Sequence, residues 1–422
     1  MRLFLMFVIL FGFYSEAYGK GSLDIDMKLK ALNKPALKTI KSEDGDIIDC
    51  IDIYKQHAFD HPALKNHKIQ MKPSVEFDEK KTKIPNNGSS EQIQITSQVW
   101  LKSGTCPIGT IPVHRVSRKD ISRASSPSHF GRKTPRRYSY LDNALQHKGN
   151  FNITAEKRNQ VGPYFRSDAF IVALGFNFVG AQSDINVWNP PRVQASDYSS
   201  AQIWLVGGVS DSFESLEAGW MVNPAVFGDY RTRLFISWTK DGYKNTGCIN
   251  LLCAGFVQTT KSFALGAAVE PVSSSSHEQY FITVSVFLDP NSGNWWLTCG
   301  NKVMGYWPGT LFNSLKHSAT AVQWGGEVHS PNIWKKPHTE TSMGSVTTPT
   351  LESRTIPCRS NTLNIYPNTL MRATVTLQSS TGEHIWKNPT YTLGDLAGTV
   401  FVLNLMLILS MFNSLFLLLV SP

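Results

Sequence analysis

Residues 279–297 read QYFITVSVFLDPNSGNWWL, and this stretch decides the fold class. Tyr280, Ile282, Val284, Val286 and Leu288 occupy alternate positions, which places them on one face of a β-strand. Asp289-Pro290-Asn291-Ser292-Gly293 supplies a turn, and NWWLTCGNKVMGYW returns from it. The same texture recurs upstream in AFIVALGFNFVGAQSDINVWNP, AQIWLVGG and TRLFISWTKDGY. Many short strands with turn signals between them predict a mainly β protein, an antiparallel sandwich or barrel. The only helix this half predicts is the short LFNSLKHSATAV.

A chain of 422 residues is too long for one typical domain. Residues 1–19 carry Arg2, an apolar run and a small-residue ending, and read as a secretory signal peptide. The glycosylation acceptors Asn87 in NGS and Asn152 in NIT agree with a secreted, extracellular chain. LDIDMKLKALNKPALKTIKS, residues 23–42, has helical spacing broken at Pro35. The last residues, 397–422, form an apolar tail long enough to span a bilayer. Three readings of it stay equally open: a lipid-anchor signal, a membrane helix and a mispredicted gene end.

Six cysteines in a secreted chain can form three disulfides in fifteen pairings. Cys248 and Cys253 bracket a short loop and are the first pair to expect, at about 2 kcal/mol in the chain-entropy model. Cys50 with Cys106 and Cys299 with Cys358 would complete the set. Neither CxxC nor HExxH occurs, so no metal and no cofactor is expected.

Residues 20–140 hold 22 Lys and Arg against 13 Asp and Glu, a net of +9, whereas 141–422 hold 18 of each. Eight of those cations lie between Arg115 and Arg137 among Ser, Pro and Gly, which reads as an exposed linker open to processing. Phosphate tracking is the other use of such a run, but the signal peptide and the absence of any nucleic-acid motif weigh against it.

Two carboxylates sit in unusually apolar contexts: Glu217 in SLEAGWMVNP and Glu327 in AVQWGGEVHS. An ionised carboxylate in a dry setting finds a partner or takes up a proton. Two of them sharing a cleft would keep one proton between them, giving a base and an acid together. Such a pair can hydrolyse a peptide bond; the plainer alternative is two strand-end residues bonded to backbone amides. Glu214, three residues before Glu217, reads as a solvated surface group, and Gln258 and Asn223 as possible positioning residues for water or substrate.

EDGDIIDCIDIYKQHAFDHPALKNHKIQMKPS, GTCPIGTIPVHR, INVWNP, SLEAGWMVNP, RLFISWTKDGYKNTGCINLLCAGFVQ and WGGEV resemble the neprosin family of secreted plant proteins, from about Leu23 to Ser345. The resemblance implies a zymogen of a glutamic endopeptidase that cuts after proline and is activated in acid, with a β-sandwich of two antiparallel sheets. It puts the catalytic glutamates at Glu217 and Glu327. Trp220, Tyr306, Trp307 and Trp324 lie near them in sequence and suit a proline-binding cleft, with core packing as the alternative for each. Tyr306 could also donate to the oxyanion.

The division expected is therefore a signal peptide at 1–19, an activation-peptide-like propeptide at 20–114 and a basic processing linker at 115–160. A catalytic β-sandwich follows at 161–345, then a divergent segment at 346–396 and the hydrophobic tail at 397–422. The expected partners are a proline-containing peptide or protein substrate and the chain's own cationic propeptide as an intramolecular inhibitor. Nucleic acid is not expected, and the tail is the candidate membrane contact. His57, His61 and His67 would charge in acid and loosen the propeptide. The apoplast or cell wall is the expected location. The rivals are a catalytically inactive peptide- or wall-binding module on the same fold, and a carbohydrate-active enzyme using the same two carboxylates.

Overall fold

The computed structural model describes residues 22–75, 94–136, 166–274, 278–333, 335–344, 371–378, 384–387 and 401–403. The stretch read as a signal peptide, Asn87 and Asn152, Cys358 and most of the apolar tail lie outside them. Among the described residues no helix is long and apolar enough to cross a membrane.

A helix over residues 22–32 stops before Pro35, where the break in spacing was expected. Strands β1 (Ala36–Lys41) and β2 (Ile47–Asp52) follow. The short β3 (Gln94–Ile95) and β4 (Ser97–Gln98) lead to β5 (Thr110–His114). β1, β2 and β5 form a small antiparallel sheet, and the Cys50–Cys106 disulfide ties β2 to the loop before β5.

The main sheet is built around β6 (Arg166–Asn186). Next come β7 (Tyr198–Gly207), β8 (Glu214–Val222), β9 (Arg233–Thr239), β10 (Val257–Gln258) and β11 (Val269–Glu270). β12 (Tyr280–Leu288), β13 (Trp295–Cys299), β14 (Lys302–Trp307) and β15 (Ala319–His329) complete the sandwich. β16 (Met371–Gln378), β17 (His384–Lys387) and β18 (Phe401–Leu403) are described as backbone.

One path runs β10-β14-β13-β12-β6-β15-β7-β8-β9. β6 makes this possible, because its first half pairs with β15 and its second half with β12. The sheet therefore curls into two halves that bury one cluster between them: Ile203, Trp220, Leu234 and Trp238 from one, Val284, Trp296, Tyr306 and Trp307 from the other. β16 pairs with β6 over Met371–Leu377, so part of the segment read as divergent adds strand to the same sheet.

Two expectations fail locally. LFNSLKHSATAV is not a helix: its start closes a 3-10 turn, Gly309–Leu311, and its end enters β15. Strand pairing with β6 and β7 on both sides of β15 overrides the local helical spacing. Residues 115–136 of the basic run are not an exposed linker either, since Val116, Ile121 and Phe130 are buried against Leu32. Apolar residues interleaved with the cations give that segment a core of its own.

Candidate active site

β7 lies between β15 and β8, and register decides what faces what. Glu327 on β15 stands opposite Ser200, and Glu217 on β8 stands opposite Trp204. Ser200, Gln202 and Trp204 alternate along β7 and share one face, so both glutamates lie on that face with Gln202 between their positions. Glycine makes the approach possible. A Cβ on Gly219, two residues from Glu217, would lie 2.1 Å from the Ala201 carbonyl oxygen, and one on Gly326 would lie 2.5 Å from Met343 Sδ. The Gly in EAGW and the second Gly in WGGE are thus required by close packing.

Between the two carboxylates sits Lys133, from the GRKTPRR run. Its Nζ lies 2.6 Å from Glu217 Oε2 and 3.4 Å from Glu327 Oε1, and all three side chains are at most 1% exposed. The rings of Tyr198, Phe235 and Tyr243 surround the ammonium, with centroids 5.7–5.9 Å away. Arg136 adds Nη1 to Glu327 Oε2 at 2.9 Å and Nη2 to Asp168 Oδ2 at 2.9 Å. Arg166, at the start of β6, brings Nε to 3.9 Å from Glu327 Oε1 and donates Nη2 to the Thr134 carbonyl at 2.6 Å.

The two glutamates have different neutral partners. Glu217 accepts from Gln202 Nε2 at 2.9 Å, Ser215 Oγ at 3.2 Å and Tyr243 OH at 2.5 Å. Glu327 accepts from Tyr198 OH, whose ring stacks on His329 at 5.0 Å. Burial pushes the Tyr198 and Tyr243 hydroxyls well above the ordinary phenol range, so both stay protonated and donate. Burial would raise the Glu327 carboxyl, but Lys133, Arg166 and Arg136 outweigh it and hold it well below the usual carboxylate range.

Of the residues singled out from sequence, Glu217 and Glu327 come together. Trp220, Trp307, Trp324 and Tyr306 do not join them: all four belong to the buried cluster between the sheet halves. The reason is parity. Trp220 and Trp324 are each three residues from a glutamate, and on a strand an odd separation means opposite faces. Tyr306 turns its hydroxyl to His67 Nε2 at 2.7 Å and the Gln70 amide at 3.0 Å, both in the propeptide region. The aromatic residues at the glutamates are Tyr198, Phe235 and Tyr243; the alternation of Tyr198, Ser200 and Gln202 in YSSAQ was the available signal for β7.

Glu214 is not solvated. It is buried and accepts from the Asn313 and Leu315 amides at 2.8 and 2.7 Å. Gln258 is engaged by Gln56 of the propeptide region, and Asn223 caps a short helix. Cys248–Cys253 forms as expected; Cys299 is unbridged among the described residues.

A second polar contact joins the small sheet to β9. Arg233 is buried and takes both oxygens of Asp46, Nη1 at 2.7 Å and Nη2 at 2.9 Å, while its Nη2 also reaches Asp229 at 2.6 Å. Burial would raise Asp46, but hydrogen bonds from His114 and Arg233 outweigh it and hold the carboxyl well below its ordinary range.

A family model described as Neprosin matches residues 195–397, and one described as Neprosin activation peptide matches residues 39–155. The chain belongs to the neprosin family. The match continues past Ser345, where the sequence reading ended it, and the activation peptide extends to include Lys133 and Arg136. These matches amount to a peptidase carried together with its activation peptide.

Among solved structures the chain is similar to Scytalido-glutamic peptidase with a peptide-based transition state analog. The identity is 13%, over 57% of this chain and 89% of that one, at a TM-score of 0.23. SCP-B of the eqolisin family, in complex with a tripeptide, gives 13% identity, 57% and 88% coverage and a TM-score of 0.22. A Bacteroides ovatus mixed linkage glucan GH16 protein gives 11%, 40% and 65%, and 0.25. Likenesses at these scores carry no argument about activity.

Proposed function

We propose that this neprosin-family protein is the zymogen of a secreted, acid-activated glutamic endopeptidase that cuts after proline, with Glu217 and Glu327 as its dyad. The observation that carries the reading is the Lys133 ammonium held between two buried glutamates by a segment inside the activation-peptide match. The fold by itself has no need of this buried ionic cluster, since apolar side chains of like volume do as well in a core. A function that requires both acids, and keeps them idle until processing, accounts for it.

With Lys133 gone, the two carboxyls can share one proton. The ionised member takes a proton from water as its oxygen bonds to the peptide carbonyl carbon. The protonated member donates to the leaving nitrogen as the C–N bond breaks. Tyr198, Phe235 and Tyr243 would then present their rings where the lysine ammonium lay, a surface that suits a proline ring.

The signs of the shifts support an acid trigger. Glu327 and Asp46 are held below their ordinary range, so their ion pairs hold above that range and are lost as pH falls through the lowered values. Burial also lowers His57, His61 and His67, so each favours the docked propeptide while neutral and opposes it once the pH drops below the ordinary histidine value.

The test incubates purified protein at acid pH with a proline-containing peptide, beside Glu217→Gln and Glu327→Gln. Cleavage after proline that disappears in both variants is expected. Processed protein that binds such a peptide without cutting it would refute the reading.

A further inference from the structure

Resting on that peptidase reading, we infer that Arg166 is the positioning residue that divides the labour of the dyad, keeping Glu327 ionised as the general base and leaving Glu217 to carry the proton as the general acid. Three cations face Glu327 in the zymogen: Lys133, Arg136 and Arg166. The first two lie inside the activation-peptide match at residues 39–155 and leave with it; Arg166 lies beyond it and opens β6. Processing therefore takes the cation from Glu217 and leaves one with Glu327.

The hydrogen-bonding capacity around the two acids points the same way. Arg166 Nη2 is committed to Thr134, through its carbonyl and hydroxyl at 2.6 and 3.0 Å, while Arg166 Nε and Nη1 have no hydrogen-bond partner among the described residues. Loss of Thr134 frees the guanidinium to close the 3.9 Å gap to Glu327. Tyr198 is the other partner and already donates. Glu327 thus keeps a donor set suited to a carboxylate.

Glu217 keeps Tyr243, Ser215 and Gln202, all neutral. Gln202 Oε1 is buried without a hydrogen-bond partner among the described residues. A half-turn of that amide would present an oxygen to Glu217, so the site holds a spare acceptor for a carboxylic acid proton.

The remaining charged groups near the pair do not reverse the order. Asp168 stands opposite Glu327 on β6, pairs with Arg136 and has Arg166 nearby; burial and the Glu327 charge raise its carboxyl toward the neutral form. His329, on β15, stacks on Tyr198, and burial lowers it to about 4. An acid enzyme needs a base that stays ionised in acid, which a retained arginine supplies. The step balances: water's proton passes to Glu327 as the C–O bond forms, Glu217's proton passes to the leaving nitrogen as the C–N bond breaks, and proton return from Glu327 to Glu217 resets the pair.

The experiment measures kcat/KM against pH for the processed enzyme, its Arg166→Gln variant and its Arg166→Lys variant. Removing a charge at this distance should move the acid limb up by about one pH unit, with Arg166→Lys close to wild type. An unmoved acid limb in Arg166→Gln would overturn the inference while leaving the peptidase intact; a wild type without cleavage would instead remove the reading beneath it. Should Arg166→Gln fail to fold, carbon-13 titration of the glutamate carboxyls in processed wild type, assigned with Glu217→Gln and Glu327→Gln, decides the matter. Glu327 should stay ionised to lower pH than Glu217, and the reverse order refutes the assignment.

Discussion

Replacing Lys133 by Met removes the one cation in hydrogen-bonding reach of Glu217 among the described residues, 2.6 Å away and as buried as its partner. Breaking a buried ion pair by deleting one member costs about 3–5 kcal/mol, because the other charge is left stranded. The stranded acid can escape by taking up a proton. From an ordinary glutamate value of about 4.3 that costs about 3.7 kcal/mol at pH 7, at 1.36 kcal/mol for each pH unit. The loss at neutral pH is therefore capped near 4 kcal/mol, a factor of about a thousand in the grip of the activation peptide. Below the ordinary carboxylate range protonation no longer costs the variant anything, so the difference should shrink as pH falls.

The assay follows thermal unfolding of the intact zymogen by tryptophan fluorescence at pH 7 and pH 3, beside conversion to the processed form across that range. Lys133→Met should melt lower than wild type at pH 7, show a smaller deficit at pH 3 and convert at a higher pH. An equal deficit at both pH values would mean that the lysine acts by packing its stem. No deficit at either would refute the latch.

Asp46→Asn should weaken the second contact, because Arg233 then keeps only Asp229 as a charged partner; the melting deficit at pH 7 should shrink as pH falls through the range where wild-type Asp46 itself takes up a proton. Trp220→Ala should lower the zymogen's stability by about 3–5 kcal/mol as a core truncation. The processed Trp220→Phe enzyme should keep its KM for a proline peptide, and a large rise in KM with unchanged stability would return Trp220 to the cleft.

The alternation in QYFITVSVFL and its neighbours was enough to determine a mainly β protein, since a period of two can be satisfied only by a strand with one buried face. The small-residue contexts of Glu217 and Glu327 marked two costly carboxylates, and the motifs around them marked the family. Parity could have excluded Trp220 and Trp324 from the glutamates' face, because it requires only counting along a strand.

What no local pattern could give was the register that sets Glu217 and Glu327 beside the same strand, 110 residues apart in sequence. Nor could it show that Lys133 lies between the two glutamates, since a lysine in a basic, turn-rich run reads as solvated until two acids close around it. Burial of a charge depends on partners supplied by distant strands. Tertiary structure alone brings those partners within reach, and so it alone decided which cations surround the two glutamates.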